Sequence, residues 1–101
     1  MPFGDAGSIV LARYTGDGYW YEGVVGDLRR VVYADGTSED LGMDALRPGG
    51  IATGLRVEVR PHGGGTPEPG SVLRRVEHGV EVQLDSGTAR WSGLGDVRIA
   101  P

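Results

Sequence analysis

The sequence predicts an all-β protein made of two small barrels in tandem, packed on each other. Three observations carry this. The 19 glycines and 6 prolines follow no collagen-like period and imply many tight turns. Between the turns, short runs alternate apolar and polar residues with a period of two. The pattern also begins twice: Val10-Leu-Ala-Arg13 is matched by Val57-Glu-Val-Arg60, an offset of 47, and Gly36-Thr37 by Gly87-Thr88, an offset of 51. The change of offset implies four extra residues in the second copy, most simply in its second hairpin.

The first copy covers residues 8–48. "SIVLARY" alternates, with Val10, Ala12 and Tyr14 on one face. "TGDG" supplies turn chemistry. "YWYEGVV" reads as a second strand, with Tyr21, Gly23 and Val25 on one side and Trp20, Glu22 and Val24 on the other. "RRVVYAD" is a third strand, and "DGTSEDL" turns at Gly36 into a short fourth. "MDALRP" is too short for a stable helix and fits one 3₁₀ turn stopped by Pro48. "GGIATG" is a linker by composition. The second copy, residues 54–100, opens with "LRVEVR", whose Leu55, Val57 and Val59 point inward. "PHGGGTPEPG" is expected to be an unpaired loop. "SVLRRVE", "VEVQLD" and "SGTARW" supply further strands, and "LGDVR" mirrors "MDALR".

A copy of about 45 residues buries little surface alone, so the two are expected to pack together rather than swing freely. The chain has no cysteine, which excludes disulfides and thiolate metal sites. No apolar run approaches the roughly 20 residues that span a bilayer, and no leader pattern is visible, so a cytoplasmic location is expected. All ten basic residues are arginine, a codon bias that points to a GC-rich bacterial source. The net charge of −4 is spread without clusters, which disfavours a nucleic-acid binder. Only the pairs Arg29-Arg30 and Arg74-Arg75 would serve that role.

The aromatic distribution is the feature that a fold alone does not account for. Four of the seven aromatic residues fall between Tyr14 and Tyr21. Within the first copy, "VLARY", "GDG", "YWYEGVV", "VVYADGTSEDL" and "MDALRP" follow in the order of a Tudor domain. The first copy resembles that family, most of all its modules with the signature "VLAR…DGYYY.G.V"; residues 54–100 resemble it only loosely. The resemblance implies SH3-like barrels and an aromatic cage for a methylated lysine or arginine. Carried across by position, the cage residues are Tyr14, Tyr21 and Tyr33, with Asp35 at the rim. Thr37 takes a place where a polar amide often sits. Trp20, Glu39 and Asp40 are secondary candidates, Trp20 being expected to pack against the second copy. The positions matching the three tyrosines hold Pro61, Glu68 and Leu84, so the second copy has no cage. Its Trp91, which matches Asp40, is expected in the core.

Rings over faces attract a diffuse cation through their quadrupole, by roughly 0.5–2 kcal/mol per contact. Tyrosines on small barrels also serve as core caps, and both roles remain open for Tyr21 and Tyr33. "HGGG" at His62–Gly65 has no matching nucleophile motif, and His62 and His78 lack metal-ligand spacing. Glu39, Asp40 and Asp44 are too few and too irregular for a calcium loop. No catalysis and no cofactor are expected. The expected function is a binding module for a basic, or methylated, side chain of a protein partner; the alternatives are a structural or assembly domain and nucleic-acid binding through the arginine pairs.

Overall fold

β-branched and aromatic residues at alternate positions suit a pleated, half-buried surface, and strands form where the sequence supplies them. The computed structural model describes residues 5–27, 30–61 and 63–101. Arg29 and His62 lie outside these. Strands β1 (Ile9–Arg13), β2 (Trp20–Val25), β3 (Arg30–Tyr33), β4 (Ser38–Asp40) and β5 (Leu46–Pro48) form one antiparallel sheet in the order β4-β3-β2-β1-β5. Strands β6 (Arg56–Val59), β7 (Glu68–Val76), β8 (Gly79–Leu84), β9 (Ala89–Gly93) and β10 (Val97–Arg98) form the second, in the order β10-β6-β7-β8-β9. The two orders are the same when each is read from its fourth strand to its fifth. In each unit a 3₁₀ turn, Met43–Ala45 or Leu94–Asp96, returns the last strand to the first and curls the sheet toward a barrel. The all-β class and the paired barrel-like units expected from the sequence are therefore present.

The registers of the two sheets also correspond. Val10 sits opposite Gly23 and Gly23 opposite Tyr33; Val57 sits opposite Gly70 and Gly70 opposite Leu84. A Cβ at Gly23 would come within 2.7 Å of Val31 Cγ1, and one at Gly70 within 2.5 Å of the Gln83 carbonyl oxygen. Each glycine thus admits the neighbouring strand at a distance that a side chain would forbid. The β7–β8 hairpin has longer strands than the β2–β3 pair, and its register shifts between Val72 and Arg74.

Three local expectations are corrected. Pro48 does not stop the first 3₁₀ turn: the turn ends at Ala45, and Leu46–Pro48 pairs with β1. The segment Glu68–Gly70 is not unpaired loop but the start of β7, opposite β6. Pro69 is tolerated at this end of the strand, where its carbonyl accepts from the Asp85 N–H. Trp91 is not in the core. It lies opposite Glu81, which is itself opposite Arg74, in an outward-facing row, and is 48% exposed.

Two apolar clusters hold the molecule. The smaller belongs to the first sheet and contains Val10, Ala12, Val25, Val31, Tyr33 and Leu46, with Tyr21 and Leu41 against it. The larger fills the second unit and reaches across the seam to take in Leu11, Trp20 and Ile51. Trp20, expected to pack against the second unit, does so at 3% exposure. Its backbone exchanges two hydrogen bonds with Ile99, at 2.9 and 2.8 Å. Arg47 stacks on its ring at 3.9 Å. Next to it on the seam, the buried Glu22 carboxylate takes two hydrogen bonds from Arg75 of β7 and one from the Ile51 N–H of the linker. Among the described residues no helix is long and apolar enough to cross a membrane.

Candidate functional site

The β1–β2 hairpin places two of the three tyrosines. Tyr14 closes β1, its N–H donating to the Tyr19 carbonyl, while its own carbonyl accepts from Gly18. Gly18 adopts φ +75°, which the turn requires. Asp17 Oδ1 accepts the Tyr19 N–H at 2.9 Å, an Asx-type turn bond, and Oδ2 accepts the Tyr21 hydroxyl at 2.6 Å. The turn residue therefore also orients the ring on the next strand. Gly16 lies against Tyr14: a Cβ there would overlap Cε2 and come within 2.8 Å of Cζ. Tyr33 stands at the end of β3, its backbone closing the β3–β4 turn through Thr37 and Gly36.

The three rings come together. The centroid separations are 6.1 Å for Tyr14–Tyr21, 5.7 Å for Tyr14–Tyr33 and 6.4 Å for Tyr21–Tyr33. The planes cross at 89°, 82° and 82°. Each ring is nearly perpendicular to the other two. Burial is graded: Tyr33 is 8% exposed and belongs to the core, Tyr21 is half-buried, and Tyr14 is 39% exposed. All three line a cleft of about 210 Å³, open to solvent, whose opposite side is formed by Arg60, Leu94 and Gly95 of the second unit.

The polar groups behind the rings are arranged by the fold. Glu39 Oε2 accepts the Tyr33 hydroxyl at 2.5 Å, and Oε1 accepts the Thr15 hydroxyl at 2.6 Å. This carboxylate ties the β1–β2 turn to β4. Burial would raise its pKa, but the bonds from Thr15 and Tyr33 outweigh that and hold it below the usual range. Burial, reinforced by the bond to Glu39, pushes the Tyr33 phenol well above the ordinary tyrosine value. Burial and then the bond to Asp17 raise Tyr21 in the same way. Asp35 accepts both the hydroxyl and the N–H of Thr37, at 2.6 and 2.9 Å, which lowers its pKa. Both Asp35 and Glu39 stay anionic, and neither has a guanidinium partner among the described residues.

The residues named from the sequence fall into two groups. Tyr14, Tyr21, Tyr33, Asp35 and Thr37 all line the cleft. Glu39 supports the rings from behind. Trp20 lies in the seam instead, and Asp40 pairs with Arg30 at 3.2 Å on the exposed outer face. Of the two arginine pairs, Arg74 binds Glu81 and Arg75 binds Glu22. In the second unit Leu84 is buried and Glu68 pairs with Arg90. Sequence reasoning missed Asp17, which looked like turn chemistry alone, and Arg60, which looked like an outward residue of an alternating strand. Asp17 had a usable signal, since it is four residues from Tyr21 across a tight hairpin. Arg60 had none, because its place at the cleft depends on how the units pack.

Compared with protein-family models and with curated proteins, the chain matches none.

Proposed function

We propose that the protein is a non-enzymatic binding module whose tyrosine cluster receives a basic side chain of a protein partner, a methylated lysine or arginine being the form that three ring faces suit best. The observation that carries the reading is the mutual perpendicularity of Tyr14, Tyr21 and Tyr33 on one open cleft. The centroids lie 5.7–6.4 Å apart, so a cation seated among the three rings falls within the roughly 6 Å reach of cation–π attraction of each. Alkyl groups spread the charge and lower its hydration, so a methylated cation loses less on leaving water. Asp35 at the mouth and Glu39 behind Tyr33 add negative potential without filling the corner. In this reading the two units descend from one Tudor-like ancestor. The first kept its rings, and the second became the wall that completes the cleft.

A purely structural role for the rings has support from Tyr33, which is a core residue. The test therefore uses Tyr14, the exposed member. Calorimetric titration with trimethyllysine and dimethylarginine peptides is expected to give saturable binding to the wild type. Tyr14→Ala should lose at least tenfold in affinity while keeping its unfolding midpoint. Wild-type protein that binds none of these peptides would leave the structural role as the reading.

A further inference from the structure

Charge around the cleft is divided by unit. On the tyrosine side, Asp35 and Glu39 are held only by neutral donors, Thr37, Thr15 and Tyr33. Their negative charge is not cancelled by any cation among the described residues. On the opposite side stands Arg60. Of the nine described arginines, seven have a carboxylate within ion-pair distance and Arg47 stacks on Trp20. Arg60 alone, among the described residues, has neither partner. It is exposed, and its backbone is anchored by its N–H donating to the Asp96 carbonyl at 2.8 Å. Asp96 lies beside it in the smaller adjoining cleft, yet makes no ion pair with it.

An arginine at the edge of a cleft, with its fork of donors unengaged, is suited to a carboxylate, which it can bind through two parallel charge-assisted bonds. We infer that Arg60 is an anion subsite, and that the ligand is dipolar: a basic residue seated against the tyrosines with an acidic residue next to it in the peptide chain. This rests on the proposed function and narrows it. The tyrosine corner sets which side chain enters, and Arg60 sets which sequence surrounds it. A second basic residue at the flanking position would meet Arg60 and be repelled, so the arginine discriminates in both directions.

Fluorescence anisotropy with three labelled peptides separates the two claims. All carry one trimethyllysine, flanked on both sides by Glu, by Gln or by Arg. Wild-type protein is expected to bind the Glu-flanked peptide about tenfold more tightly than the Gln-flanked one, the scale of a hydrogen bond to a charged group. The Arg-flanked peptide should be weakest. Arg60→Ala should bring the Glu- and Gln-flanked peptides to equal affinity, and Arg60→Glu should reverse the wild-type order. Arg60 is exposed, so both variants are expected to fold. If the wild type binds all three peptides equally, or if Arg60→Ala keeps the wild-type order, the anion subsite is wrong and the tyrosine site stands. If no peptide binds the wild type, both fall.

Discussion

Glu22 of β2 and Arg75 of β7 form a two-bonded ion pair across the seam between the sheets, and the same guanidinium donates to the Ile51 carbonyl of the linker at 2.8 Å. One buried carboxylate thus joins both units and the segment between them. The hydrogen bonds that Arg75 donates to Glu22 raise the pKa of the guanidinium and keep it charged. Because the rings lie on one unit and Arg60 on the other, this contact helps to set the width of the cleft.

Removing one partner leaves the other uncompensated. Arg75→Met strands Glu22, which is 7% exposed, and is expected to cost about 3 kcal/mol. The double variant Glu22→Gln/Arg75→Met should recover part of that loss, since a neutral amide leaves no buried charge and its oxygen can still accept the Ile51 N–H. Urea unfolding of Arg75→Met, Glu22→Gln and the double variant closes the cycle, and a double-variant cost equal to the sum of the two single costs would show that the pair carries no coupling.

The two tryptophans should behave oppositely. Trp20→Ala opens the seam and is expected to cost roughly 3–5 kcal/mol. Trp91→Ala, on the outer face, should stay within about 0.5 kcal/mol. Acrylamide should quench the fluorescence of Trp91 and leave that of Trp20 largely shielded, as single-tryptophan variants with phenylalanine at the other position would report.

Gly16 and Gly70 exclude a Cβ for different reasons. At Gly16 the obstacle is the Tyr14 ring, which can swing aside; at Gly70 it is backbone of β8. Gly16→Ala is expected to preserve stability and weaken peptide binding several-fold. Gly70→Ala is expected to destabilise by about 1–3 kcal/mol. Thermal unfolding together with a binding titration separates the two effects.

The Tyr33–Glu39 bond gives stability that depends on pH at both ends. Tyr33 and Tyr21 are raised in the fold, so their contribution is complete below about pH 10, the unfolded value, and is lost as pH rises toward the folded values. Glu39 is lowered, so its contribution is present above about pH 4.3 and is lost as pH falls through the folded value. Denaturant unfolding from pH 2.5 to 11 should fall at both limits. Tyr33→Phe should make the alkaline limb shallower, leaving the part due to Tyr21, and Glu39→Gln should make the acid limb shallower, leaving the part due to Asp35.

The parts legible in the sequence were those fixed by short-range periodicity. Tyr14, Tyr21 and Tyr33 could be brought together because each ends or begins a strand beside a recognisable turn. The partner sheet of Trp20 followed from its lying on the face opposite Tyr21. Trp91 stands outside the core because register, not size, decides which face a strand residue takes. Its counterpart in the first unit is Asp40, an exposed residue, and that match already placed it outward. Glu22–Arg75 and the position of Arg60 could not be read, because they join residues 53 apart or depend on how two units dock. No local pattern encodes that geometry. Pro69 pairs with β6 because the exclusion of proline holds at strand centres and relaxes at strand ends.

The most direct test of the tyrosine site is a titration followed by NMR on the aromatic ring protons of Tyr14, Tyr21 and Tyr33, using a trimethyllysine peptide and its unmodified twin. The rings should shift together, saturably and upfield at the ligand methyls, with the modified peptide binding at least several-fold more tightly. Ring signals that stay in place while other residues shift, or that shift alike for both peptides, would contradict it.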